Sequence, residues 1–234
     1  MKKKMHLVLL GVMMAALLGM ALPSPSQALS VVTTRAGIGQ NDFTDWGQFG
    51  VELTTVPSGS TATSNGGTVV TTISQAGSAT FTLYDQSSQW GGNFNPGDHL
   101  LFTGLGNPGP ATLQFNHGLF AVGTQLQQNF FGNFTGTIQA YDSLNNLLGT
   151  FSLAGTSNGN GDNSAIFLGV SDTTADIFKV VYTISNTDGL STEFAMNQVA
   201  MRTSAVPLPP TALLLGSGLV GLGLLARRRR QSRG

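Results

Sequence analysis

The chain has 234 residues, of which 31 are Gly, none is Cys and only 9% are charged. Its formal net charge of zero hides a segregation: all 11 acids lie between Asp42 and Glu193, while the bases gather at the two ends and leave only Arg35, Lys179 and Arg202 within residues 29–205. Three bases against eleven acids give that middle a net charge of −8, which argues against nucleic acid as a partner, because phosphate binding needs clustered Lys and Arg. The absence of Cys excludes a disulfide framework, a thiol nucleophile and Cys-ligated zinc. All 14 Phe fall inside residues 29–205, a composition unlike that of disordered segments.

The N-terminus reads as an export signal. Lys2, Lys3 and Lys4 precede an apolar run from Leu7 to Leu22, and Pro23 and Pro25 then end the helix just before Ser26-Gln27-Ala28. Small residues at the last and third-last positions suit signal peptidase, so cleavage is expected after Ala28. Residues 1–28 form the signal peptide in this reading.

Residues 29–205 are expected to form one domain, long enough for a single core. Hydrophobic residues alternate with polar ones nearly throughout: Phe134, Gly136, Ile138 and Ala140 against Thr135, Thr137, Gln139 and Tyr141, and Phe178, Val180, Tyr182 and Ile184 against Lys179, Val181, Thr183 and Ser185. A period of two means strands with one buried face, hence antiparallel sheets. The pattern predicts strands near 31–34, 49–54, 68–73, 79–85, 99–103, 111–115, 119–128, 134–142, 147–154, 164–170, 177–185 and 193–202, with a hairpin turn at Asn145-Asn146. The expected fold class is all-β, an antiparallel jelly-roll-like β-sandwich.

Chemistry within this body is sparse. Trp46 and Trp90 lie in loop contexts rich in Gly, Asn, Gln and Asp, which makes them candidates for stacking on a glycan; the competing expectation is that each plugs an open end of the sandwich. His99 and His117 read as loop histidines without a nameable partner. Asp142, Asp162 and Glu193 are the acids most open to a glycosidase role, yet no spacing singles out a pair. Asn158, Asn160 and Asp162 place three oxygen side chains at alternate positions, as calcium loops do, although Gly169 stands where an EF-hand has its Glu. A structural calcium there, or between Asp42, Asp45 and the last strand, is a candidate cofactor. An Asn-Gly turn between strands is the simpler expectation.

After the body, Val206-Pro207-Leu208-Pro209 is followed by an apolar stretch from Thr211 to Ala226 and then Arg227, Arg228, Arg229 and Arg230. Sixteen residues in a helix span about 24 Å, a little short of the ~30 Å hydrocarbon core. The four arginines place the tail, residues 227–234, in the cytoplasm and leave the body outside. The order of Pro-rich neck, short Gly- and Leu-rich helix and terminal arginine cluster in residues 206–234 resembles the PEP-CTERM sorting signal. The resemblance implies recognition and cleavage near the neck by exosortase, an integral-membrane cysteine protease of bacteria that make exopolysaccharide and biofilm matrix. Leu208 departs from the family, which most often has Glu there.

Three stretches of the body, Asn95-Pro96-Gly97-Asp98, Gly132 to Asp142 and Asp162 to Val170, are similar to segments of exported β-sandwich proteins that carry the same kind of tail. The expected function is that of an exported, non-enzymatic cell-surface or extracellular-matrix protein. Signal peptidase and exosortase process it, the inner membrane holds it transiently, and exopolysaccharide is its candidate ligand. The alternative is a secreted glycan-active hydrolase.

Overall fold

The computed structural model describes residues 29–204. The signal peptide with Ala28, the neck Val206–Pro209, the stretch 211–226 and Arg227–Arg230 lie outside the described residues. Among those described, no helix is long and apolar enough to cross a membrane.

Fifteen strands make up the body: β1 Ser30–Val32, β2 Asp42–Thr44, β3 Thr55–Val56, β4 Thr61–Thr63, β5 Val70–Gln75, β6 Phe81–Asp85, β7 His99–Phe102, β8 Ala111–Leu119, β9 Ala121–Gln128, β10 Gly132–Tyr141, β11 Leu147–Ser157, β12 Ile166–Ser171, β13 Ile177–Asn186, β14 Phe194–Met196 and β15 Val199–Arg202. One sheet has six strands in the order β11-β10-β13-β8-β5-β4. The other has nine, ordered β1-β12-β9-β14-β7-β6-β3, with β15 joining β9 to β2. Neighbouring strands pair antiparallel throughout, for example β10 with β11 and with β13. The fold is therefore an antiparallel β-sandwich, as the period-two pattern requires.

The inward positions of the two sheets form one core that includes Ile73, Phe81, Leu113, Leu126, Ile138, Leu168, Tyr182 and Phe194, joined by Trp46 from the turn after β2. Each such side chain contributes about 1.5–3 kcal/mol by leaving water. The outward faces differ. On the six-stranded sheet the outward positions, such as Thr137, Ser152 and Thr183, are polar and partly or fully exposed. On the nine-stranded sheet, β9 is buried on both faces, because two segments lie across it. Residues 86–98 cover Leu100, Phe102, Ala165 and Ala195 with Trp90 and Phe94. The turn at Ala36–Ile38 covers Ala121, Phe167 and Ala200 with Ile38. Gly123 and Gly169, paired across β9 and β12, permit this second cover. A β-carbon at Gly123 would meet the Phe167 ring at 2.7 Å, and one at Gly169 would meet Ile38 at 2.9 Å.

Two expectations need correction. No strand forms at 49–54. The Asp45 carboxylate accepts from Gly47 N at 2.8 Å and caps a 3-10 turn at Trp46–Phe49 instead. Gly50 (φ 129) and Leu53 (φ 66) then hold the chain in a turn that a strand cannot follow. The last expected strand, 193–202, is two. Met196 pairs with Leu126 but Ala200 with Gly123, so this segment carries one more residue than its partner. The bulge falls at Asn197-Gln198 and separates β14 from β15. The expected hairpin at Asn145-Asn146 is present: Asn145 adopts φ 63, and Asp142 N donates to Asn146 O at 3.0 Å.

Register gives the molecule two distinct ends. Ser30 pairs with Ser171, Ser171 with Ala121, and Ala121 with Arg202. The first and last strands thus enter and leave at one end. Gln128 opposite Phe194 and Gly132 opposite Ser157 mark the other.

Candidate functional site

At the end remote from the termini, the tight β9–β10 connection presents two adjacent aromatic side chains to solvent. Phe130 and Phe131 are 57% and 68% exposed, and Leu190 on the β13–β14 turn is 64% exposed. Beside them lies the β11–β12 loop. A β-carbon on Gly159 would sit 3.2 Å from Phe131 Cζ, so the ring lies against this loop. A shallow groove of about 390 Å³ opens at the same end, with Asn133, Thr135, Thr156, Asn186 and Thr187 among its lining residues beside Phe134 and Ala154. Exposed rings beside amides and hydroxyls are suited to a ligand with alternating apolar and hydroxylated faces, and loops on a rigid sandwich are a usual place for such contacts.

One buried amide organises this end. Asn93 is fully buried. Its Nδ2 donates to Asn158 Oδ1 and Ser164 Oγ, each at 2.8 Å, and more distantly to Asp162 Oδ1 at 3.4 Å. Its Oδ1 accepts from Asn158 N at 2.6 Å and from Gln127 Nε2 at 2.9 Å. Gln127, on the outward face of β9, also receives Asn93 N at 2.7 Å and donates to Ser157 Oγ at 2.7 Å. The Trp90 loop and the Asn158–Asp162 loop are thereby fastened to each other and to the sheet.

The residues nominated from the sequence fall into place around this frame, with different roles. Asn158, Asn160 and Asp162 do come together, but their oxygens are engaged by the chain itself. Asn158 Oδ1 accepts from Asn160 N at 2.9 Å as well as from Asn93. Asp162 Oδ1 accepts from Ser164 Oγ at 2.5 Å and Ser164 N at 3.1 Å, and Asp162 Oδ2 from Asn160 Nδ2 at 3.4 Å. Donation from Ser164 Oγ above all holds the Asp162 carboxyl below the usual carboxylate range. In this arrangement the loop is closed by its own Asx-type hydrogen bonds. No group of three or more His, Asp or Glu that could hold a metal occurs among the described residues.

The two tryptophans are corrected as glycan platforms. Trp46 is 0% and Trp90 6% exposed, so neither offers a ring face. Trp46 donates Nε1 to Asn197 O at 2.8 Å from within the core. Trp90 packs 5.3 Å from Phe102 and 6.0 Å from Tyr84, centroid to centroid. The second nominated calcium arrangement is likewise occupied. Asp42 accepts from Ser64 Oγ at 2.6 Å and Gly66 N at 2.8 Å, and Asp45 faces His99 Nδ1 at 2.9 Å. His99 therefore has a partner. His117 lies within β8 rather than in a turn.

Of the three acids considered for hydrolysis, Asp142 lies at the opposite end of the body from Asp162 and Glu193. Asp142 accepts from Asn146 Nδ2, Asn146 N and Leu144 N, each at 2.8 Å, in the hairpin at the terminal end. The Asn146 side chain is the main cause of its lowered pKa. Glu193 Oε1 accepts from Gly106 N at 2.5 Å near the opposite end.

No family model and no curated protein matches the chain. Solved structures do resemble it. A DUF4465 family protein from Bacteroides caccae is 15% identical with a TM-score of 0.40, over 70% of this chain and 100% of that one. CsCBM6-3 from Clostridium stercorarium, in complex with cellobiose, is 12% identical with a TM-score of 0.31, over 56% of this chain and 87% of that one. A mutant of CBM29-2, from the family 29 carbohydrate-binding modules, complexed with mannohexaose, is 15% identical with a TM-score of 0.31, over 66% and 95%. Cellobiose and mannohexaose are ligands of those proteins, and no residue role passes from them to this chain.

Proposed function

We propose that this is an exported, non-enzymatic cell-surface or extracellular-matrix protein whose sandwich binds exopolysaccharide at the end carrying Phe130 and Phe131. The observation that carries the reading is the pair of exposed aromatic rings beside the amide-rich loops and hydroxyl-lined groove. A pyranose ring offers apolar C–H faces to an aromatic ring, and its hydroxyls hydrogen-bond to amides and carboxylates around it. The sorting half of the proposal rests on the sequence: the signal ending at Ala28, the neck Val206–Pro209, the apolar stretch 211–226 and the arginines behind it. The two halves are compatible in geometry. Both ends of the body leave together, so a chain held by either terminus directs Phe130 and Phe131 away from the membrane.

Two measurements test this. The intact mass of the protein recovered from outside the cell reports both cleavage sites at once; retention of Arg227–Arg230 in that mature form would contradict processing near the neck. The exported protein titrated against polysaccharides in affinity electrophoresis should be retarded saturably and leave the polymer length unchanged. Turnover would instead favour a secreted glycan-active hydrolase.

A further inference from the structure

A second groove, of about 410 Å³, lies at the edge of the sandwich beside β12, between the segment that follows β1 and the end of the β11–β12 loop. The half-buried Leu153 and Ile166 give it an apolar side, and Thr33, Thr34, Asn163 and Ser164 give it a polar one. Arg35 lines it as well, with the guanidinium carbon 5.4 Å from the Phe167 ring centroid.

The bonding of Arg35 is unusual for a half-buried cation. Nη2 donates to Asn197 Oδ1 at 3.0 Å and Gln198 O at 3.2 Å, and Nη1 to Gln198 Oε1 at 3.3 Å. All three acceptors are neutral. Among the described residues no Lys or Arg lies within ion-pair distance of a carboxylate. The nearest acid acting on Arg35, Asp98, is bound to the far side of the same amide, accepting from Asn197 Nδ2 at 2.8 Å. Burial disfavours the charged guanidinium, and Asp98 opposes that effect only in part. In a body with eleven acids and three bases, this groove carries a guanidinium and no carboxylate in its lining, the nearby Asp162 being held on Ser164 Oγ. Its surroundings are also firmly built. Gln125 Nε2 donates to Asn163 Oδ1 at 2.9 Å and Ala165 O at 3.1 Å, Gln125 Oε1 accepts from Asn197 Nδ2 at 2.7 Å, and Asn163 is held at φ 61.

We infer that this groove takes a carboxylate-bearing sugar, a uronate residue of an acidic polysaccharide, with its carboxylate on Arg35 and its ring against Leu153 and Ile166. The inference rests on the glycan-binding reading above and names the class of glycan. Two features favour a uronate over a simple anion. The groove joins the apolar Leu153 and Ile166 to hydroxyl and amide groups, which suits a sugar ring. It also adjoins the end of the Asn158–Asp162 loop, whose Gly159 lies against Phe131.

The test uses the full chain purified in a non-ionic detergent. Alginate, polygalacturonate and hyaluronan serve as probes, each beside its carboxyl-reduced form, in which the uronate carboxylate has become a neutral hydroxymethyl group. Binding to at least one acidic polymer should weaken roughly tenfold or more on carboxyl reduction, in keeping with the strength of a charged hydrogen bond. Arg35→Met should give a similar loss. Because Arg35 also braces Asn197 and Gln198, Thr33→Glu provides the second variant: it leaves Arg35 in place, adds an opposing charge at an exposed rim position, and should weaken the acidic polymer alone. Equal binding of native and carboxyl-reduced polymers, or full binding by Thr33→Glu, overturns the uronate assignment while glycan binding itself stands. Binding of no polymer, charged or reduced, overturns both.

Discussion

Asn93 and Asn158 exchange two hydrogen bonds, side-chain Nδ2 to side-chain Oδ1 at 2.8 Å and backbone N of Asn158 to Oδ1 of Asn93 at 2.6 Å. The pair joins two loops that are 65 residues apart in the chain. Removing the Asn93 side chain leaves Asn158 N and Gln127 Nε2 without that acceptor in a buried setting. Asn93→Ala should therefore cost at least about 2 kcal/mol in urea denaturation. Amide exchange should rise first in residues 158–164. A stability unchanged from that of the unaltered protein would show that the amide is dispensable.

Phe130 and Phe131 predict the opposite pattern. They are exposed, so replacing both with Ala should alter stability by no more than about 0.5 kcal/mol. Polysaccharide retardation should fall sharply all the same. Undiminished binding in the double variant would remove this end from the account of recognition.

The two tryptophans should report burial directly, with blue-shifted emission and little quenching by iodide. Trp46→Phe keeps most of the volume but loses the bond from Nε1 to Asn197 O, at a cost of about 1 kcal/mol. Trp46→Ala should cost about 3–5 kcal/mol, because it also opens a cavity in the main core. Thermal or urea melts of the two variants separate these contributions.

Asp162 and Asp142 have carboxyls held below the usual range by hydrogen bonds to the charged form. A depressed folded pKa adds stability above the unfolded value of about 3.9, and that stability is lost as pH falls through the lower folded value. Acid should accordingly loosen the 158–164 loop and the 142–147 hairpin below about pH 4. Ser164→Ala removes the largest cause at Asp162 and should raise its titration midpoint, followed through the carboxyl carbon by NMR. An unmoved midpoint would mean that Ser164 does not set it.

Calcium gives a further discriminating measurement. The oxygens of Asn158 and Asp162 already accept N–H and O–H groups of the chain, so an ion would have to displace them. The melting midpoint should be the same in calcium and in chelator once ionic strength is matched, since screening alone relieves some of the self-repulsion of an acidic body. A calcium-specific rise would show that the loop rearranges into a cage.

Much of the sandwich was legible because its determinant is local. Alternation along β10 and β13 reports which face meets the core, whatever strand lies alongside. The Asn145 turn was legible for the same reason. The 46–54 segment misled because its outcome depends on the Asp45 cap and on a left-handed Leu53, neither of which shows in hydrophobic periodicity. The bulge at Asn197 depends on its partner β9, more than 70 residues earlier, and so has no local sign. The site was legible only in part. Loop composition pointed to Trp90 and to Asn158–Asp162, but the residue that unites them, Asn93, is one Asn among many until the fold buries it. Phe130 and Phe131 read as ordinary hydrophobic residues, and only their exposure distinguishes them. Arg35 stood out as one of three bases in the body, without any sign that its partners would be neutral.

The strand at the middle of the nine-stranded sheet, β9, receives its neighbours on one edge from β14 and β15, the last strands of the body. A chain that crosses a membrane from its N-terminus, as the export reading requires, therefore delivers these partners last. Until Arg202 has emerged, Leu126 and Val122 lack the strands that complete their layer, and the polar seam of Gln125 lacks Asn197. Native pairing across so long a separation in sequence forms slowly in any case. On the proposed export route the sandwich closes only when β14 and β15 have crossed, and a chain stalled before residue 194 would present an open sheet edge.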